Sequence, residues 1–172
     1  MVIGLAIRRP HSFPESAGPR SMAGMLPTRN IISERGPEPV GPYPHAKQVG
    51  DFIFVSGIGP RQRGQRDIPG TTRDASGAVV DHDIAVQARS CFENIRMILE
   101  DAGVPWSNVV DVTAFLTHLK RDFADYNRVF AEFFAGPGKP NPTRTTVEVT
   151  ALPTEIAIEL KVIAIRGSGP GE

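Results

Sequence analysis

Residues 142–165 read PTRTTVEVTALPTEIAIELKVIAI, and this stretch decides the fold. Strand side chains repeat with period two. Ile156, Ile158, Leu160, Val162 and Ala164 therefore share one face of an extended run. Ala157, Glu159, Lys161, Ile163 and Ile165 share the other. Glu159 is thus an acid within a strongly apolar strand. A shorter β-branched run, Thr145 to Thr150, precedes it, and Ala151-Leu152-Pro153-Thr154 separates the two. The spacing predicts a hairpin of these runs, with Arg144 at its mouth facing Glu159 across one cleft. From the residues alone this pair has two readings: the chemistry of a site, or a structural ion pair, Arg144–Glu159 or Glu159–Lys161.

Working back from that pair, Val109 to Leu119 alternates as a strand. Residues Asp122 to Phe134 follow as a helix capped by Asp122, with Phe123, Tyr126, Phe130 and Phe133 on one face that reads as core. Further upstream, Ile84, Ala88, Phe92, Ile95, Leu99 and Ala102 recur at helical spacing, with Asp81 or Asp83 as cap and Gly103 as stop. Cys91 beside that face reads as a buried structural thiol. Asp51 to Ile58 is a strand, paired through Gly50-Asp51 with a short one at Ala46 to Val49. Between Gly59 and Gly77 lies a long polar loop carrying Arg61, Arg63, Arg66 and Arg73, with a short strand after it at Ala78 to Val80. The pattern β-β-α-β-α-β-β predicts an α+β fold: a mixed sheet with two helices packed on one face. Apolar residues on both faces of the last strand predict self-association.

The whole chain has 172 residues, enough for one sizeable core. We divide it into a Pro-, Gly-, Ser- and Arg-rich leader at 1–38, a folded domain at 39–166 and a tail at 167–172. Lys plus Arg and Asp plus Glu both number 19, so no global basic field recruits nucleic acid or an anionic membrane. A single cysteine forbids an internal disulfide and fits a reducing, cytoplasmic setting. No apolar run approaches a membrane span. The four histidines, His11, His45, His82 and His118, lack metal-ligand spacing, so neither metal nor cofactor is expected. Phosphate-loop, dinucleotide and GxSxG motifs are missing from the sequence.

Several strings carry a family resemblance: GPYPHA from Gly41, DFIFVSG from Asp51, QARSCFENIRMILEDAG, VVDVTAFLTHLKRDFADYNRVFAEFF and TRTTVEVTALPTEIAIELKVIA. From about Pro39 to Ile165 the chain resembles the Rid (reactive intermediate deaminase, YjgF-like) family. GPYPHAKQVGDFIFVSG, the long loop and the DYN…EFF…TRTTVEV pieces look most like the 2-aminomuconate deaminases within it. The resemblance implies a chorismate-mutase-like α+β homotrimer, or a dimer of trimers, with sites between subunits and no cofactor. It implies that Arg144 binds a substrate carboxylate and that Glu159 handles water. Tyr43, the Gly57 backbone and Asn127 complete the binding set. Where many members have Cys, this chain has Thr146. The implied reaction is hydrolytic deamination of an enamine or imine acid, 2-aminomuconate giving 2-oxo-3-hexenedioate and ammonia in aromatic catabolism. A general imine deaminase acting on 2-aminoacrylate-like substrates, and a non-enzymatic trimeric binding, chaperone-like or RNA-directed protein, are the alternatives. A dicarboxylate substrate needs a second cation, for which His45, Arg61 and Arg63 are the candidates. Desolvation in the apolar strand is expected to raise the Glu159 pKa, and Arg144 to lower it.

Overall fold

The computed structural model describes residues 26–167. Its strands are β1 (Thr28–Ile31), β2 (Ala46–Val49), β3 (Phe52–Val55), β4 (Thr71–Arg73), β5 (Val79–His82), β6 (Val109–Leu116), β7 (Thr143–Glu148) and β8 (Ile158–Ile165). Two helices, α1 (Ile84–Asp101) and α2 (Leu119–Phe134), complete the architecture. A six-stranded sheet has the order β1-β2-β3-β8-β6-β7, while β4 and β5 form a separate ribbon. The alternation read from the last strand holds: Ile158, Leu160, Val162 and Ala164 are buried, and Glu159, Ile163 and Ile165 are not. The buried set joins one core with Ala88, Phe92, Ile95 and Leu99 of α1 and Tyr126, Val129 and Phe134 of α2. Both helices therefore cover one sheet face, as expected of the α+β class. The opposite face leaves Phe52, Phe54, Val147 and Ile165 exposed.

The hairpin expected of the last two strands does not form. β7 pairs in parallel with β6, and β8 lies antiparallel between β6 and β3. The segment 149–157 is much longer than a tight hairpin turn. α2 supplies the crossover that a parallel β6–β7 pair requires. β8 is the more apolar strand, so the central position, with a partner on each edge, hides more of it from water.

α1 starts where the sequence placed it. The Asp83 carboxylate accepts the Val86 N–H at 3.0 Å, and Gly103 ends the helix at φ +73°, a conformation only glycine adopts without strain. Cys91 is buried against the Ile158 carbonyl, and burial pushes its thiol pKa up, which makes it a structural thiol. α2 begins earlier than the sequence reading gave it. His118 is the cap residue, the Glu148 carboxylate accepts the Leu119 N–H at 2.7 Å, and Asp122 sits buried in the first turn against Arg121. An acid from the neighbouring strand thus does what Asp122 was expected to do.

The domain also starts earlier than residue 39. β1 pairs with β2, and Ile31 and Ser33 are buried, so this part of the leader stretch belongs to the fold. Composition concealed it, because a four-residue edge strand carries little periodicity of its own. Residues 1–25 and 168–172 lie outside the described residues.

Candidate active site

The sheet register sets where the two expected catalytic side chains project. Arg144 lies opposite Val112 on β6, which lies opposite Val162 on β8. Val112 and Val162 are buried under the helices, so Arg144 points to the helix side. Glu159 lies opposite Phe115 on the open side. In a single copy the two groups occupy opposite faces, two strands apart laterally and three residues apart along the sheet, roughly 14 Å between their Cα atoms. No ion pair joins Glu159 to Arg144 or to Lys161 among the described residues. Two clefts result where one was expected.

Glu159 stands in the first. Beyond Val55 the chain steps out of the ladder at Ser56 and Gly57 and returns at Ile58, which exchanges two backbone hydrogen bonds with Leu160. Gly57 is left facing the glutamate. A Cβ at Gly57 would lie 2.8 Å from Glu159 Cδ and closer still to Oε1. Glycine thus leaves the space that lets the carboxylate rest on the backbone in this position. Burial raises the Glu159 pKa from its ordinary value, and no cation among the described residues opposes that shift. The expected lowering by Arg144 does not occur, because Arg144 is on the other face. Tyr43, His45, Ser56 and Arg61 line the same cleft. Its innermost space, about 30 Å³, has room for about one water.

The wall of this cleft is a strap, residues 33–40, which the sequence reading had given largely to the leader. Ser33 Oγ donates to Asp101 at 2.6 Å and accepts from the Gly36 N–H at 2.8 Å. Arg35 bridges Asp101 and Glu100 on α1. Arg63 donates to Gly36 O, Ser33 O and the Glu38 carboxylate. His45 is buried beneath the strap. Its Nδ1 accepts the Ser33 N–H at 3.1 Å, and its Nε2 donates to Pro37 O at 2.9 Å. Both ring nitrogens are spent on backbone, so His45 is not free to bind a ligand carboxylate, contrary to its place among the candidates. Arg63 is withdrawn from that role for the same reason. Ser56 Oγ donates to Pro44 O, which holds the Tyr43–His45 arm beside Gly57.

Arg144 forms the second cleft with Leu119, Lys120, Phe123 and Thr146. Its guanidinium lies 4.5 Å from the Phe130 ring centroid, 5.4 Å from that of Tyr126 and 5.8 Å from that of Phe123. Stacking of this kind holds the planar group in place while its N–H edges stay available. Among the described residues no acid pairs with it. Tyr126 Oη and Thr146 Oγ1 are buried nearby without hydrogen-bond partners. Burial is the main cause that pushes the Tyr126 pKa up to about 12, with Arg144 pulling the other way. Asn127 follows Phe123 by four residues and precedes Phe130 by three, so it shares their stripe on α2 and is half-buried.

The model of a family described as Endoribonuclease L-PSP matches residues 33–166. The chain belongs to the Rid/YjgF family. Among Rid proteins, a RutC family protein of Pyrococcus abyssi is 41% identical over 136 residues, covering 79% of this chain and 95% of its own. The 2-iminobutanoate/2-iminopropanoate deaminase of Escherichia coli is 32% identical over 139 residues, covering 81% and 98%. The crystal structure of E. coli TdcF with bound serine superposes with a TM-score of 0.69 at 32% identity, covering 81% and 99%. The Rid match begins at residue 33, where the strap begins.

Of the residues expected from sequence, Tyr43, Gly57 and Glu159 come together with the second-cation candidates His45 and Arg61, and Arg144 stands apart with the α2 stripe. The aromatic stripe is not core along its whole length. Its Phe123 end is 40% exposed and forms a wall of the Arg144 cleft. The signal that could have found it is its place near the start of α2, where a helix leaves the core. No helix among the described residues is long and apolar enough to cross a membrane, and no group of metal-ligating side chains is found among them.

Proposed function

We propose that this Rid protein hydrolyses imine and enamine acids at a site assembled between two copies. One copy supplies Glu159, Gly57 and Tyr43, and another supplies Arg144 with Phe123 and Asn127. The observation that carries this reading is the pair of half-sites on opposite faces: an arginine with no acid partner and a half-buried glutamate with no cationic partner among the described residues. The exposed apolar face with Phe52, Phe54, Val147 and Ile165 supports burial against further copies in a homotrimer or a dimer of trimers.

In this reading Arg144 grips the α-carboxylate through two parallel hydrogen bonds, which places the imine carbon. An enamine substrate first takes a proton at carbon to become the imine. Glu159 accepts a proton from water as the water oxygen bonds to the imine carbon. Addition to the protonated imine gives a carbinolamine; Glu159 returns its proton to the nitrogen, and as the C–N bond breaks the carbinol hydroxyl gives up its proton, leaving ammonia and the oxo acid. Raising the Glu159 pKa by burial makes it a better base than an ordinary carboxylate. The finer reading is 2-aminomuconate as substrate. It rests on the sequence resemblance and on the spare arginine in the Glu159 cleft. The activity carried by the E. coli relative's name supports the general imine reading.

Ammonia release from freshly generated 2-iminopropanoate and 2-aminomuconate tests the activity. Co-expression tests the assembly: Arg144→Ala and Glu159→Gln are each inactive alone. Mixed oligomers regain activity at the interfaces that keep both residues, about a quarter under random assortment. No recovery in proven mixed oligomers would place the whole site within one chain and refute the reading.

A further inference from the structure

Two hydroxyl groups beside Arg144 take no part in the reaction steps. Thr146 follows Arg144 by two residues on β7, and lies opposite Ala114 as Arg144 lies opposite Val112. Ala114 and Val112 are both buried under the helices, so the two β7 side chains project to the same side. Tyr126 comes from α2, is fully buried, and holds its ring centroid 5.4 Å from the Arg144 guanidinium. Tyr126 Oη and Thr146 Oγ1 are both shut away from solvent, and neither makes a hydrogen bond. A buried hydroxyl without a partner destabilises a fold, so two at one place need a reason. Arg144 is their complement. Among the described residues its guanidinium makes no ion pair and no side-chain hydrogen bond, and it carries five N–H donors and no acceptor. Burial raises the Tyr126 pKa to about 12, and Arg144 and Thr146 act against that rise, so both stand next to its hydroxyl. The phenol therefore keeps its proton, and can accept an N–H while donating its own O–H.

Resting on the deaminase reading, in which Arg144 grips the α-carboxylate, we propose that Tyr126 and Thr146 are positioning residues for Arg144: they hold the inner N–H groups of its fork so that the outer ones face the carboxylate. Stacking on Phe130 at 4.5 Å fixes the plane of the guanidinium but leaves it free to turn within that plane. A small turn lets the inner N–H groups donate to Tyr126 Oη and Thr146 Oγ1, with the phenol donating to the threonine. The hydroxyls then fix the rotation that stacking leaves open, and a two-pronged grip needs both. Their oxygens are too buried to reach the substrate, so they act through the arginine. A carboxylate on the outer edge polarises this chain of hydrogen bonds and strengthens each of them. Substrate binding thus satisfies hydroxyls that the free protein leaves unpaired.

Calorimetric titration of 2-oxobutanoate, an unreactive 2-oxo acid, measures the grip without turnover, and thermal melting of the free proteins measures the fold. Tyr126→Phe and Thr146→Val should each weaken binding about 10-fold, the lower end for a hydrogen bond to a charged group. Thr146→Ser should recover most of what Thr146→Val loses. Free Tyr126→Phe should melt no lower than wild type, because it removes a hydroxyl that has no partner there. In an Arg144→Met background, titrated at millimolar acid, Tyr126→Phe should cause no further loss, since the residue it acts through is gone. Unchanged affinity in both hydroxyl variants overturns the proposal. So does a Tm fall of several degrees in Tyr126→Phe, which would give the hydroxyl a partner in the fold. A loss that persists in the Arg144→Met background also overturns it. Wild type that binds no 2-oxo acid removes both the positioning role and the grip itself. Hydroxyl-dependent binding in a protein that releases no ammonia from 2-iminobutanoate keeps the positioning role and removes the deaminase reading.

Discussion

Gly57→Ala tests whether the close approach of Glu159 to the backbone matters for chemistry. The added Cβ would sit 2.8 Å from Glu159 Cδ and nearer to Oε1, where ordinary contact begins at 3.4 Å. Gly57 has no positive φ, so the backbone accepts alanine without strain. The carboxylate must therefore move, by on the order of 1 Å. A glutamate side chain is flexible enough to do this, and reduced freedom of the unfolded chain offsets part of the overpacking. The net stability change should stay within about 1 kcal/mol, a shift of roughly 2–4 °C in Tm. Displacing a positioned base by ~1 Å costs far more in rate, on the order of 100-fold in kcat. Steady-state ammonia release beside a melting curve reads both quantities. Wild-type kcat in Gly57→Ala would show that the carboxylate position is not catalytic. A loss of kcat accompanied by a Tm fall of ten degrees or more would show that Gly57 serves the fold instead.

Other perturbations separate the roles of the remaining residues. Arg144→Lys keeps the charge but loses the stacked, two-pronged fork over Phe130, and kcat/KM should fall by about 10- to 100-fold; an unchanged value in a folded protein removes Arg144 from carboxylate binding. Burial raises the Glu159 pKa, so the acid limb of the kcat/KM profile should lie above the ordinary glutamate value of 4.5. For stability the sign follows from the native state holding this proton more tightly: stability falls as pH rises from the unfolded to the folded pKa. Glu159→Gln should therefore raise Tm at neutral pH and give no such gain below the ordinary glutamate pKa; a lower Tm at neutral pH would contradict the desolvation. Ser33→Ala removes the hydroxyl that ties the strap to Asp101 and should cost about 1–2 kcal/mol, a few degrees of Tm. An unaltered melting curve would mean that the strap is not part of the cooperative unit.

What the sequence determined by itself is local. The two-residue period of 156–165 placed Glu159 on the face opposite Ile158, Leu160 and Val162, and the helical spacing of Ile84 to Ala102 found α1, with Asp81 or Asp83 as its cap. Both patterns record which side of an element meets water, and each element carries that record in its own residues. The strand read at Asp51 to Ile58 is present but stops at Val55, and the step of the chain at Ser56-Gly57 beside Glu159 is a tertiary feature. Partner choice is another matter. Residues 143–148 and 158–165 alternate equally well whether they pair with each other or with β6, since backbone hydrogen bonds carry no sequence label. Only the tertiary structure put β7 beside β6, and that single choice turned Arg144 to the helix side and split the expected pair into two half-sites. Commitment of side chains was equally hidden. His45, Arg61 and Arg63 look alike as cations in a sequence. The folded strap occupies both nitrogens of His45 and most of the Arg63 fork, and leaves Arg61 with donors to spare, because a hydrogen-bond partner is fixed by where distant backbone carbonyls come to lie.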